Sequence, residues 1–488
     1  MRVLLIYPLL APDRSVIDEN KQYWPPLGLA YLGAYLEKHG HQVKILDRDV
    51  ILRKSGLDFA KTDDLTLKHI EDFKPDWVGI SVTTPNILDA NEISLKIKNN
   101  FPNATLVLGG PHCVGEPELT LQICSAIDVL VRSEGEETLL ELVSGKPVEE
   151  VFGITYKTQT GEIRSNPDRP LIENLDDLPL PARHLLDMEF YLRPSRFTSR
   201  NLSLRTTSIF TARGCPFRCH YCAGPLLGRN RVRYHSPQRI IEEVTELIEK
   251  YSAEALYFAE DMFLANKKRA KVIFDLMKET GISKQIVWMA QLSSNVVDED
   301  FLKRMKEAGC LHVEYGFESG SPRVLKLMNK KSSVPLNLKA ARMTKKVGIR
   351  FQGNFIVGYP GETEEDFKMT LNFIKKTKPT NIALNIFMPL PGTFIYRKLK
   401  AEGKEIPPWH MMGDPDAPQI NYADMPPERF QQLYYRARLF IIIPLNLWHF
   451  LKDNIRYPMR LLYILLTQSK GFLVKTFRAI KRLRNIKN

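Results

Sequence analysis

The apolar positions of the first 150 residues fall in short, nearly continuous runs at 2–7, 42–46, 77–82, 104–108 and 128–131. Amphipathic stretches separate them at 27–39, 65–73, 87–99, 118–125 and 136–143. Near-continuous apolar strands joined by helical crossovers predict a doubly wound parallel sheet. The pattern changes at 151–200. A hairpin is expected about Gly161, followed by a Pro-rich crossing segment, "LIENLDDLPLPARHLLD". Strand and helix then alternate again over 201–400, with strands expected at 208–212, 255–258, 286–290, 312–316, 350–357 and 382–388. The remainder, 401–488, reads as helical. The chain is therefore α/β, in four parts: 1–150, a connector 151–200, 201–400, and a C-terminal region 401–488.

Open α/β sheets bind ligands at the carboxyl ends of their strands. In the first part those ends carry Asp47, Ser81–Pro85, Gly109-Gly110-Pro111-His112 and Ser133-Glu134-Gly135-Glu136. Small residues and glycines there let a flat ligand approach the backbone. Ser81, Thr83, Gly109, Gly110 and Glu134 are candidate cofactor-binding residues on that ground. His112 reads as a structural histidine at a strand end.

The densest chemistry follows the first strand of the second repeat. Cys215-Pro216-Phe217-Arg218-Cys219-His220-Tyr221-Cys222 is a C-x3-C-x2-C cluster on a loop after Gly214. Three thiolates so placed can hold three irons of a [4Fe–4S] cube and leave the fourth open. An open iron can chelate the amino and carboxylate groups of S-adenosylmethionine. A zinc site would need a fourth ligand, for which His235 is the available residue. The odd number of clustered cysteines argues against a disulfide. The other cysteines, Cys113, Cys124 and Cys310, are scattered, which suits a reducing compartment.

The segment "ARGCPFRCHYCAGP" resembles the cluster motif of the radical S-adenosylmethionine (radical SAM) superfamily. The resemblance implies an open, partial (β/α)6 barrel over 201–400, with Cys215, Cys219 and Cys222 as iron ligands. It places Tyr221 near the adenine. It puts the methionyl ammonium on a carboxylate of Glu260 or Asp261, where the superfamily has a Gly-Gly-Glu-like motif. It assigns Glu318 and Ser319 to the ribose or carboxylate, and the backbone at Gly358 to the adenine. The first part resembles the cobalamin-binding domain that precedes many radical SAM domains, through "YWPPLGLAYLGAYLEKHGHQVKILD", "GISVTTPN", "LGGPH" and "SEGEETLLEL". The Asp-x-His-x-x-Gly signature is absent; Asp47-Arg48-Asp49 stands there instead, so cobalamin is expected without a histidine on cobalt. The branch includes cobalamin-dependent methyltransferases and the anaerobic magnesium-protoporphyrin cyclase. It implies an electron donor such as flavodoxin or ferredoxin and a small-molecule substrate.

Charge is unevenly placed. Residues 429–488 hold 13 Lys/Arg and one acid, Asp453, for +12; the whole chain is +13, so the other 428 residues carry +1. In the tail the cations interleave with Leu, Ile, Phe, Trp and Tyr, and no run reaches the about 18 apolar residues of a membrane span. That composition predicts a basic amphipathic surface on an anionic membrane, favoured over nucleic acid by the density of large apolar residues. The expectation is a cytoplasmic enzyme, peripheral on the inner membrane face. Its reaction would modify an unactivated carbon, by methyl transfer, on a lipid-like or isoprenoid substrate. A radical SAM cyclase or carbon–carbon bond-forming enzyme without cobalamin, and a non-catalytic iron–sulfur docking protein, are the competing classes. Methylthiolation is disfavoured because no second cysteine cluster exists.

Overall fold

The computed structural model describes residues 1–10, 23–193, 204–260, 262–413 and 420–454. Seven strands form the first sheet: β1 (Arg2–Tyr7), β2 (Gln42–Asp47), β3 (Trp77–Ser81), β4 (Thr105–Gly109), β5 (Val129–Val131), β6 (Ile154–Lys157) and β7 (Ile163–Ser165). Their order is β2-β1-β3-β4-β5-β6-β7, and the first five run parallel. Strand order reverses between β1 and β3, which opens a crevice at their carboxyl ends. Apolar cores lie on both faces, as fully apolar runs such as Val3-Leu4-Leu5-Ile6 require.

The expected hairpin forms as β6 and β7, but it joins β5 antiparallel and extends the first sheet past residue 150. A helix at Arg48–Lys54 was not legible in the sequence. Asp47 caps it, accepting from the amides of Asp49 and Val50. Its first residue, Arg48, is buried and bonds Asp89 (2.9 Å), Asp63 (2.7 Å) and Thr66 (3.0 Å). The Asp47-Arg48-Asp49 segment therefore serves the domain's own packing.

The second sheet holds six parallel strands: β8 (Thr206–Ile209), β11 (Ala255–Phe258), β12 (Val287–Leu292), β13 (Cys310–Glu318), β14 (Arg350–Val357) and β15 (Asn381–Ile386), in the order β15-β14-β13-β12-β11-β8. Among the described residues the edge strands β8 and β15 do not pair with each other, which leaves the barrel open there. A two-stranded ribbon of β9 (Ala212–Arg213) and β10 (Arg233–Tyr234) braces the cysteine loop. Helix starts are written locally. Ser236, Asp298, Ser333 and Thr363 each cap a barrel helix with their side chains.

Alternation within the barrel strands divides their two faces. Phe258, Trp288, Tyr315, Phe317, Phe351 and Phe355 join the core under the helices. The opposite, inward face carries a polar row. Gln291, Glu314, Gln352 and Asn381 stand side by side on four neighbouring strands. After the barrel, helix Pro427–Ala437 returns Phe430, Tyr434 and Tyr435 to the same core. No helix among the described residues is long and apolar enough to cross a membrane.

Candidate active site at the domain interface

The two sheets face each other across a cavity of about 370 Å³. From the first sheet it takes Leu5, Ser81, Val107, Gly109 and Val131; from the barrel it takes Phe210, Glu260 and the backbone of Gly214 and Gly228. Its walls are mostly apolar, with Leu29 and Leu139 from flanking helices. Gly109 leaves room: a Cβ there would meet only Val131, at 3.8 Å. Gly110 has a different reason to be glycine. Its φ is +104°, and a Cβ would stand 2.5 Å from the Val82 carbonyl oxygen. The close approach at Gly110 is therefore the chain's own, not a ligand's.

Glu134 also lines the cavity, but its carboxylate is consumed. It accepts from Arg213 (2.9 Å), Arg233 (2.7 and 2.9 Å) and the amide of Ile172 (2.9 Å). Glu136 takes the other end of the Arg213 guanidinium at 2.6 Å. These guanidiniums hold the Glu134 carboxyl below its ordinary pKa despite burial. Glu134 is thus an anchor between domains, tied to the residue two before Cys215. Thr83 does not reach the cavity; it caps the short helix Thr84–Asn86. His112 is buried between the hydroxyls of Thr84 (3.2 Å) and Thr120 (3.3 Å), with Trp409 edge-on at 4.5 Å. Burial pushes its pKa down to about 4. Among the described residues no histidine lines the cavity.

The cysteine loop leaves β9 through Gly214, whose φ is +93° and where a Cβ would fall 2.0 Å from the Arg231 carbonyl oxygen. Only glycine fits that turn. Cys215, Cys219 and Cys222 are half-buried, whereas Cys113, Cys124 and Cys310 are buried. Burial pushes the Cys124 thiol up to about 11 and raises Cys113 and Cys310 too, which suppresses the ligating thiolate. Among the described residues no three His, Cys, Asp or Glu converge on a point fit for one metal ion.

Beside the loop lies a cluster that the sequence reading missed in part. Glu318, at the end of β13 with φ +59°, pairs with Lys330 at 2.9 Å. Lys330 also lies 3.4 Å from the Tyr221 hydroxyl. Lys330 is half-buried, and the Glu318 carboxylate and the Cys219 and Cys222 sulfurs keep its pKa above the ordinary value. It places one positive charge near the Cys219 and Cys222 sulfurs, and nothing in its spacing from the cysteines announced it. Gly358 (φ +78°) gives its amide to Glu362 at 2.5 Å, and the next residue, Tyr359, packs in the cluster that Tyr221 borders.

Two expected ligands are engaged elsewhere. Ser319 is fully buried, its hydroxyl 3.1 Å from that of Thr370. Glu260 accepts from the Thr211 amide (2.7 Å) and hydroxyl (2.6 Å), and burial pushes its carboxyl up to about 7. It lines the cavity while bracing the strand end ahead of the cysteines. Asp261 lies outside the described residues. The "MPLPGT" segment marks the other contact between domains: a Cβ on Gly115 would strike the Pro391 carbonyl at 2.5 Å, and one on Gly392 would strike the Gly115 Cα at the same distance.

Residues 209–374 match the radical SAM superfamily model and residues 14–143 the B12 binding domain model. An uncharacterized methyltransferase of Pyrococcus horikoshii is 37% identical over 405 residues, 81% of this chain and 83% of that protein. The chain belongs to the radical SAM superfamily. It is an enzyme of the branch with a B12 binding domain ahead of the barrel. An anaerobic magnesium-protoporphyrin IX monomethyl ester cyclase of Rubrivivax gelatinosus is 28% identical over 82% of this chain and 70% of its own length. The fold is that of the radical SAM methyltransferase TsrM from Kitasatospora setae, solved with cobalamin and a [4Fe–4S] cluster bound: TM-score 0.66, 18% identity, 82% of this chain and 75% of that one. The cofactors of the two domains are a [4Fe–4S] cluster with S-adenosylmethionine, and cobalamin. The donor sets fit them: three half-buried thiols beside a lysine, and an apolar, histidine-free cavity at glycine-bearing strand ends.

Proposed function

We propose that the chain is a cobalamin-dependent radical SAM methyltransferase acting on an amphiphilic small molecule. One observation carries the reading: a single apolar cavity is walled by the carboxyl ends of the first sheet and by the glycines that bracket the cysteine loop. When bound, the cluster supplies the electron that cleaves S-adenosylmethionine and cobalamin supplies a methyl carrier. The chain's part is to hold and shield them. Cys215, Cys219 and Cys222 would hold the iron. Tyr221, Glu318 and Lys330 would line the S-adenosylmethionine side, with Lys330 balancing sulfur charge. Leu5, Val107, Val131 and Leu139 would exclude water from the corrin.

Two features support the substrate class. The inward layer of Gln291, Glu314, Gln352 and Asn381, with Tyr257 bonded to Gln291 at 2.6 Å, suits a polar, hydrogen-bonding portion. On the C-terminal helices Phe440, Leu447, Trp448 and Leu451 are all exposed, Phe440 at 72% and Trp448 at 64%. Their spacing is one helical face, and it suits uptake of the apolar portion at an anionic membrane surface.

The test is anaerobic reconstitution with iron, sulfide and cobalamin, followed by assay with S-adenosylmethionine bearing a deuterated methyl. The wild type should show cluster and corrin absorption and form 5′-deoxyadenosine. Cys215→Ala, Cys219→Ala or Cys222→Ala should each abolish the cluster and the cleavage; Cys113→Ala and Cys124→Ala should not. Turnover with a candidate substrate should place the deuterated methyl in product. Ring closure without label transfer would overturn the methyltransferase reading.

A further inference from the structure

Tyr359 carries a hydroxyl that the fold itself does not use. The residue is 1% exposed, and among the described residues its hydroxyl has no hydrogen-bond partner. Buried hydroxyls in folded proteins are bonded, so an unmet one points to a partner outside the chain. The turn that holds it is fixed at both ends. The Gly358 amide donates to Glu362 at 2.5 Å, and the Glu362 amide to the Tyr359 carbonyl at 2.9 Å. The Tyr359 ring meets Phe387 edge-on at 4.9 Å.

The apolar cluster around Tyr359 is also the bed of the cysteine loop. It contains Met328 and Ile395, and Tyr221 borders it. The His220 amide donates to the Met328 carbonyl at 3.0 Å, and the Ile395 amide to the His220 carbonyl at 3.1 Å. Two residues packed with Tyr359 therefore grip the residue that follows Cys219. Burial raises the Tyr359 pKa and the Cys219 sulfur raises it further, so the hydroxyl keeps its proton. The Cys222 sulfur has a donor of its own, the Gly224 amide at 3.3 Å.

We propose that the Tyr359 hydroxyl donates a hydrogen bond to the cluster at Cys219, on that sulfur or the sulfide beside it, and raises the cluster's reduction potential. The inference rests on the cluster assigned to Cys215, Cys219 and Cys222 and adds a residue that tunes it. Hydrogen bonds to its sulfurs are one of the levers a protein has on the potential of an iron–sulfur cluster. A donor is held most strongly when the sulfur is richest in electrons, so it favours the reduced state. In that reduction one electron enters the cluster, and the hydroxyl keeps its proton. Lys330 acts on the same Cys219 sulfur in the same sense, through its charge.

The experiment uses the full-length protein reconstituted with iron and sulfide. The cluster is titrated against solution potential, first without and then with S-adenosylmethionine, and followed by electron paramagnetic resonance. Tyr359→Phe keeps the ring and its packing and removes only the hydroxyl, so it should load the cluster as wild type does. At a fixed potential its ratio of reduced to oxidised cluster should fall about tenfold, a midpoint lower by about 59 mV for one electron. In heavy water the reduced wild type should show a deuteron coupling that the variant lacks. Tyr422→Phe is the control. Its hydroxyl donates to the Glu405 carbonyl at 2.6 Å, and its ring packs on Phe387 at 5.7 Å. It should match wild type in both readings. A loaded Tyr359→Phe with an unchanged midpoint overturns the hydrogen bond alone. A shift seen only with S-adenosylmethionine overturns it too, by giving the hydroxyl to that molecule. A Tyr359→Phe that loads no cluster overturns it by giving the residue a role in assembly. A wild type that acquires no cluster absorption overturns the proposed function and this inference with it.

Discussion

Single residues at this interface divide into those that leave space and those that hold the walls. Gly109 leaves space, because a side chain there would point into the cavity with no backbone in its way. Gly109→Leu should therefore fold normally and lose cobalamin, seen as loss of corrin absorption with an unchanged melting temperature. Gly110 makes a poorer test, since any Cβ there strikes the Val82 backbone and strains the fold itself. Glu362 is a residue of the second kind. It is buried, accepts from the Gly358 amide, and burial pushes its carboxyl up from 4.5 to about 8. Between those values the folded state keeps a proton that the unfolded chain has lost. Stability therefore falls as pH rises through that window and levels off above about 8. Glu362→Gln should match wild type near pH 4.5 and become the more stable of the two by pH 8.5, as read from denaturant midpoints.

Among the elements, the C-terminal helices separate two roles that composition alone ran together. Helix Pro427–Ala437 is part of the barrel core through Phe430, Tyr434 and Tyr435. Arg429 is spoken for by Glu364 at 2.8 Å. A chain cut near Asp424 would therefore lose core as well as tail. The stripe of Phe440, Leu447, Trp448 and Leu451 lies beyond it, and residues 455–488 add nine Lys/Arg and no acid. The apolar residues that the sequence groups at 461–466 and 471–480 lie outside the described residues. Each cation near an anionic surface contributes about 1 kcal/mol. The full chain should sediment with anionic vesicles and less so in high salt. A chain ending at Asn454 should lose most of that binding, and Phe440→Ser/Trp448→Ser should lose part of the remainder. Equal sedimentation of all three would sink the membrane reading.

At the scale of the whole molecule, the two domains are joined by charge and by backbone contact at once. Arg213 and Arg233 reach from the ribbon beside the cysteines to Glu134 and Glu136. Arg183, in the connector, is buried against Glu243 at 2.7 Å. Glycines at 115 and 392 let the two backbones touch. Removing one partner of a buried pair costs about 3–5 kcal/mol. Glu134→Ala should therefore loosen the halves from each other. Calorimetry should show one cooperative transition for wild type and two separated ones for the variant. A single unshifted transition would show that the ion pairs do not couple the domains.

The local signals were legible in the chain because their causes are local. Apolar runs and turn glycines define β11 and β14 to the residue, and the helix Glu136–Val143 likewise. Three cysteines seven residues apart can only share one loop. What the sequence could not declare depends on residues distant in the chain. Glu134 looked like a ligand at a strand end until Arg213 and Arg233, about 80 and 100 positions on, took both its oxygens. Ser319 looked ligand-facing until Thr370 claimed it. Lys330 carried no pattern of its own, and only the bulge at Gly316–Glu318 brings its partner beneath the cysteine loop. Spacing along the chain determined which chemistry this protein holds. Folding decided which carboxylates stay available to it, because a buried charge must find its partner in space, wherever that partner lies in sequence.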